Sequence, residues 1–182
     1  VGIGQGYWLA TPLQLAAAVA TLPNGGTPVH PRLVRGIQDA RTQEVRELAP
    51  RPRESLGIRP EHLELVRAAM IDVTRPGGTA VRAAQGAPYT VAGKTGTAQV
   101  VAMKAGEKYD EKKVKERHRD HALFIAYAPA DAPRIALALL VENGGHGGST
   151  AAPIAREVLD YALLGKRPER RQKLGEEEGP GD

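Results

Sequence analysis

The chain has 182 residues, 41% of them hydrophobic and 25% charged, with a formal net charge of +4 and no cysteine. That composition suits one soluble globular domain with enough length to bury a core, and it excludes disulfides and thiolate metal sites. Aromatic residues make up only 4% and the basic residues are scattered, so stacking platforms and a basic stripe are both missing and no nucleic-acid partner is expected.

No apolar run is long enough for a transmembrane helix and no signal-peptide pattern is present. The sequence starts at Val1-Gly2-Ile3 without a methionine and reads as a piece of a longer chain. Gly2-Ile3-Gly4-Gln5-Gly6-Tyr7-Trp8 is glycine-dense and predicts a loop packed by its aromatics. It lacks the spacing of a dinucleotide fingerprint, so no cofactor is assigned. Thr11-Pro12 supplies an N-cap and a first-turn proline for a helix from Leu13 to Leu22, which Asn24-Gly25-Gly26 ends. This alanine-rich segment is apolar enough to predict burial.

A short strand is expected over Pro31 to Gln38, then a polar surface excursion from Asp39 to Ser55, of hairpin type. Pro60-Glu61 opens a second helix, with Leu63, Val66, Met70 and Val73 spaced by three or four. Pro76-Gly77-Gly78 breaks it, and Thr79 to Ala84 add a further turn or two. Val91-Ala92-Gly93-Lys94-Thr95-Gly96-Thr97-Ala98-Gln99-Val100 then predicts a strand. Alternation places Lys94 and Gly96 on one face and Thr95 and Thr97 on the other. Such a strand offers an ammonium, two hydroxyls and a bare backbone at Gly96, which suits an extended peptide ending in a carboxylate. A phosphate-binding P-loop is excluded because position 88 is Pro88 and the residues after Thr95 read as extended rather than helical.

Met103 to Asp120 is densely charged and reads as a solvated, partly helical loop. His118 and His121 lie three apart within and beside it, but no third ligand is near, so no metal is assigned. Ala122 to Tyr127 and Ile135 to Val141 form two apolar strands joined by Pro129 to Arg134, an antiparallel hairpin with helices on both faces. Glu142 to Gly148 reads as a flexible loop carrying the surface histidine His146. Ser149 or Thr150 is the candidate cap of a last helix with an apolar stripe of Ile154, Val158 and Tyr161. Residues 166–182 are charged and aperiodic, a disordered tail. Helices, three strands and a helix in that order give an α+β fold, an antiparallel sheet covered by helices.

Lys94-Thr95-Gly96 matches the third of three motifs that mark serine penicillin-binding proteins and β-lactamases. Together with Gly2-Ile3-Gly4-Gln5-Gly6, Ala10-Thr11-Pro12-Leu13-Gln14-Leu15 and Thr97-Ala98-Gln99, it resembles a class B penicillin-binding protein. Arg119-Asp120-His121-Ala122-Leu123-Phe124 and Val141-Glu142-Asn143-Gly144-Gly145 resemble the elongation-specific members. The resemblance covers residues 1–165 and implies the C-terminal part of a penicillin-binding transpeptidase domain of β-lactamase-like fold.

It further implies a peptidoglycan D,D-transpeptidase without cofactor or metal. A serine attacks the carbonyl between the terminal D-alanines of a stem peptide, and β-lactams imitate that D-Ala-D-Ala end. By the resemblance Lys94 and Thr97 are catalytic and Lys94, Thr95, Gly96 and Thr97 bind substrate. Lys94 supplies positive charge, the Thr95 and Thr97 hydroxyls hold a carboxylate, and the Thr97 N–H is half of an oxyanion hole. The implied place is the periplasmic side of the bacterial inner membrane, with a rod-shape glycosyltransferase of the elongation complex as partner.

The sequence departs from the family pattern at the nucleophile. Ser-x-x-Lys is required, but the two serines, Ser55 and Ser149, are followed three positions later by Ile58 and Ala152. No Ser-x-Asn or Ser-x-Asp motif is present either. Truncation accounts for both, and the segment alone is expected to be inactive, and to be poorly soluble or to need a partner fragment to complete its core. A β-lactamase or carboxypeptidase of the same fold, and a non-catalytic peptide-binding relative, remain the alternatives.

Overall fold

Thr11 and Gln14 cap the first helix reciprocally: the Thr11 Oγ1 accepts from the Gln14 N–H at 3.2 Å and the Gln14 Oε1 accepts from the Thr11 N–H at 2.8 Å. This capping box, with Pro12 in the first turn, starts α1, Pro12–Thr21. The structure, a computed structural model, describes residues 9–50, 53–101 and 114–168. The glycine-dense opening loop, most of the charged stretch after Val101 and nearly all of the tail fall outside the described residues.

After α1 come β1 (Gly36–Gln38) and β2 (Val45–Glu47), a two-stranded antiparallel hairpin whose first strand ends the expected strand and whose second lies in the surface excursion. The first strand is shorter than the expected Pro31 to Gln38. The Asp39 carboxylate accepts from the N–H groups of Arg41 and Thr42, and this turn pairs only the residues nearest it. Helix α2 (Pro60–Asp72) and a 3₁₀ turn at Val81–Ala83 lead to β3 (Ala92–Ala98), β4 (His121–Ala128) and β5 (Ile135–Val141). These strands form one antiparallel sheet in the order β3-β4-β5. Helix α3 (Ala152–Leu164) closes the described fold, ending on Gly165 in the left-handed conformation at φ 70°.

Helices lie on both faces of the sheet. On one, Ala122, Phe124 and Ala126 of β4 pack with Val91, Ala83, Ala155 and Leu159. On the other, Ala92 and Tyr127 meet Val19 of α1 and Met70 of α2. No helix among the described residues is long and apolar enough to cross a membrane.

Three expectations about burial need correction. Helix α1 buries only Val19 and Thr21, while Leu13 is 61% exposed. It touches β5 and β4 through one stripe, and its alanines line an open groove of about 550 Å³ with Tyr127, Ile135 and Ala136. Within α2 the spacing of Leu63, Val66, Met70 and Val73 marks the core side imperfectly, because only Met70 is buried and Val66 is exposed. On α3 the face is reversed: Ala152, Ala155 and Leu159 are buried, whereas Ile154, Val158 and Tyr161 are exposed. Alanines let the helix approach the sheet closely, and that approach decides which side is inward.

A polar clamp holds α3 to the chain leading into β3. The Tyr89 hydroxyl donates to Asp160 Oδ1 at 2.5 Å, Arg156 Nε lies 2.9 Å from the same oxygen, and Arg156 Nη1 donates to the Gln85 carbonyl at 2.7 Å. Burial opposes the charge on Asp160, but hydrogen bonds from Arg156 and Tyr89, with the charges of Arg156 and Lys166, outweigh it and hold the carboxyl below its ordinary value. Burial, followed by the Asp160 contact, pushes the Tyr89 phenol up, so it stays a donor.

A depressed carboxyl contributes stability that is complete above its unfolded value, about pH 4, and is lost as pH falls through the folded value. Asp160→Asn in the protein carrying this sequence is therefore expected to cost about 1–2 kcal/mol at pH 7. The difference from wild type should shrink in acid, as the carboxyl becomes protonated in the folded state as well, as read by denaturant titration. An equal loss at neutral pH and in acid would contradict the assignment.

Candidate functional site

The register between β3 and β4 is unbroken from Ala92↔Tyr127 to Ala98↔His121, so no bulge disturbs the tetrad. Lys94 and Gly96 share the α1/α2 face with Ala92, and Thr95 and Thr97 share the α3 face with Val91. Strand β3 is one of the two outer strands of its sheet, with β4 on one edge and no strand on the other among the described residues. Its start is fixed by Thr74, whose buried hydroxyl donates to the Val91 carbonyl at 2.7 Å and so ties the end of α2 to the strand. Gly93 has a packing reason: a Cβ there would fall 2.5 Å from the Phe124 ring.

Lys94 is exposed, and its ammonium donates to the Thr95 carbonyl at 2.7 Å. Thr95, Gly96 and Thr97 are half-buried. The Thr95 hydroxyl lies 3.1 Å from that of Thr79, a residue sixteen positions earlier in the chain. The structure thus brings Lys94, Thr95, Gly96 and Thr97 together on one strand and adds Thr79 to them. A cation on one face of the strand, hydroxyls on the other and the open strand edge between them form a set that can hold an extended peptide through its backbone and an anionic end through charge and hydroxyl hydrogen bonds.

The loop after β5 is pinned against this strand rather than flexible. A Cβ on Gly147 would lie 2.2 Å from the Leu123 carbonyl oxygen and 2.7 Å from that of Gly96, and one on Gly148 would lie 2.1 Å from the Thr79 carbonyl oxygen. The chain's own loop, by lacking a side chain at Gly147, therefore lies directly on the Gly96 backbone. Neither Ser149 nor Thr150 caps α3. The Ser149 hydroxyl donates to the His146 carbonyl and that of Thr150 to the Gly144 carbonyl at 2.8 Å, so both hold the loop. The backbone then turns through a π-helical segment, Gly147–Ala151, directly into α3. His146 itself is exposed.

The end of the charged stretch also departs from a fully solvated loop. Asp120 is 6% exposed, and its carbonyl accepts from the Gly145 N–H at 2.9 Å. Asn143 donates through its backbone N–H to His121 Nδ1 and through its side chain to the Arg119 carbonyl, each at 2.9 Å. His121 thus spends a ring nitrogen on the loop. Among the described residues no three His, Cys, Asp or Glu side chains are grouped to hold a metal. Thr79, Gly147 and Gly148 carry no motif in the sequence, and Asn143 enters there only as part of a resembling block. Their signals were a threonine after Gly77-Gly78 and a run of glycines longer than one turn requires.

Comparison with known proteins gives this geometry a context. The family model described as "Penicillin binding protein transpeptidase domain" matches residues 1–160. "Peptidoglycan D,D-transpeptidase MrdA" of Acinetobacter baumannii is 45% identical over 168 residues, covering 92% of this chain and 24% of that protein. The crystal structure of Pseudomonas aeruginosa PBP2 in complex with WCK 5153 superposes with a TM-score of 0.71 at 36% identity, over 90% of this chain and 33% of that one. The imipenem acyl-enzyme complex of penicillin-binding protein A from M. tuberculosis does so at 0.66 and 31%, over 88% and 32%. The chain spans about a quarter of the length of the curated relative.

Because the contact at Gly147 is backbone against backbone, a single methyl must displace the loop or the strand. Gly147→Ala is expected to lower stability by about 1–3 kcal/mol. His146→Ala, an exposed change on the same loop, should stay within about 0.5 kcal/mol of wild type. Thermal unfolding of the two variants checks this, and equal midpoints would show that the loop yields.

Proposed function

Since the chain belongs to the family of penicillin-binding protein transpeptidase domains, we propose that it forms the substrate-holding wall of a peptidoglycan D,D-transpeptidase. One observation carries this reading: Lys94 to Thr97 lie on an outer strand of the sheet, with the lysine exposed and one edge of the strand clear of other strands among the described residues. On this reading a stem peptide ending in D-Ala-D-Ala lies along β3. Lys94 supplies the positive charge, and the hydroxyls of Thr95 and Thr97 hold the terminal carboxylate. The backbone of Thr97 contributes an oxyanion donor where negative charge develops in the transition state. β-Lactams, which carry a carboxylate beside a strained amide, bind the same groups.

The nucleophile comes from outside this sequence. The Ser55 hydroxyl accepts from the Gly57 N–H, the Ser149 hydroxyl donates to the His146 carbonyl, and neither serine has a lysine three positions on. A serine presented by another part of the protein would attack the donor carbonyl, release D-alanine and pass the acyl group to a neighbouring stem amine. On this reading the protein works on the periplasmic side of the inner membrane. Its working partner is then a rod-shape glycosyltransferase, which supplies glycan strands to cross-link. The coverage of a quarter of the curated relative's length agrees with a site completed elsewhere.

Fluorescent penicillin is expected to label the protein extended upstream to include a Ser-x-x-Lys motif, and not the 182-residue chain alone. Lys94→Ala in the extended protein should cut the labelling rate by about 100-fold, the scale of losing one preorganised electrostatic contact. Labelling of the short chain would place a nucleophile within it and overturn the assignment. A folded extended protein that never labels would favour a non-catalytic peptide binder.

A further inference from the structure

Thr79 belongs to no motif of the proposed reaction, yet its hydroxyl lies 3.1 Å from that of Thr95. Its position is built rather than accidental. Gly78 donates to the Arg75 carbonyl at 2.8 Å and Ala80 donates to the Val73 carbonyl at 2.9 Å, so both neighbours are anchored to the end of α2. Ala80 is 1% exposed, and a Cβ on Gly78 would fall 2.2 Å from the Val73 oxygen. From the other side Gly148 lies against the Thr79 carbonyl. The backbone of Thr79 is therefore wedged between α2 and the loop after β5, while its side chain is exposed beside β3.

A hydroxyl has one proton and two lone pairs, and an ionised carboxylate only accepts. Between two threonine hydroxyls either can donate. If Thr95 donated to Thr79, it would have no proton left for an anion. We propose that Thr79 is a positioning residue: it donates its proton to the Thr95 oxygen and so turns the single Thr95 proton towards the carboxylate of the acyl donor. The chain of donors then runs from Thr79 to Thr95 to the carboxylate. Each bond polarises the next, and the bond to the anion is the strong one. This rests on the proposed function, because Thr95 must be a carboxylate ligand for its proton direction to matter.

The test uses the extended protein that contains the nucleophile, with benzylpenicillin and its methyl ester as probes, since the ester has no anionic carboxylate. Thr79→Val keeps the shape and removes the hydroxyl, whereas Thr79→Ser restores it. The second-order acylation rate by benzylpenicillin is expected to fall about 5- to 10-fold in Thr79→Val and to return to within about twofold in Thr79→Ser, as for one hydrogen bond. The ester should react equally with all three proteins. Adding Thr79→Val to Thr95→Val should cost nothing more. An unchanged rate in Thr79→Val, an equal loss with the ester, or failure of Thr79→Ser to rescue would overturn the role of Thr79 alone. Absence of any acylation in the wild type would instead sink the transpeptidase reading, and this inference with it.

Discussion

The tetrad depends on a junction where three backbones touch without side chains between them. Gly147 lies on Gly96 and Leu123, Gly148 lies on Thr79, and Thr79 meets Thr95. Interiors are close-packed, so a gap of one methyl cannot be opened there without moving a strand or a loop. This turns two glycines that look like loop filler into the wall that fixes how β3 is presented. The same junction links distant parts of the chain: the end of α2, strand β3 and the start of α3 all share it.

Two further ties act at the ends of that wall. Thr74 holds the entry to β3 from one side, and Tyr89, Asp160 and Arg156 hold the preceding segment to α3 from the other. Past the far end of β3, Asn143 and Gly145 bind the Arg119 to His121 segment to the loop after β5. The strand is thus anchored at its start by polar groups and in the middle by glycine contacts, and the strand beside it is tied to the same loop where it begins. An electrostatic site needs that stiffness, because donors and charges that must reorganise when a ligand arrives lose much of their effect.

Much of this architecture was legible in the sequence, because its signals are local. Thr11-Pro12, Pro60, the turn between β4 and β5 and the glycine after Leu164 each act on their own neighbours, and the order of helices and strands follows from them. Lys94 to Thr97 were legible as a strand for the same reason. The inward face of α3 was not. Ile154, Val158 and Tyr161 have the spacing of a core stripe, but Ala152, Ala155 and Leu159 permit a closer approach to β4, and tertiary packing decided between them. Thr79 was hidden because its partner lies sixteen residues away. Asp120 was hidden because a charge run ordinarily faces water, and nothing local says that its last member turns inward.

The two outer strands of the main sheet show what an edge must be to serve as a binding site. An unpaired strand edge invites pairing with other chains, and proteins restrain that tendency with charge and with covering segments. Strand β5 is seven residues of Ile, Ala, Leu and Val, mostly half-buried, with α1 packed over it. It carries no charge of its own. Strand β3 has an exposed lysine at its third position, hydroxyls on either side of a glycine, and a loop of its own chain laid against that glycine. An apolar peptide would gain only backbone hydrogen bonds there and would leave an ammonium and hydroxyls poorly matched. A peptide with an anionic end satisfies both sets at once. On the proposed reading, selectivity for a terminal carboxylate arises from the same residues that keep the edge from pairing indiscriminately.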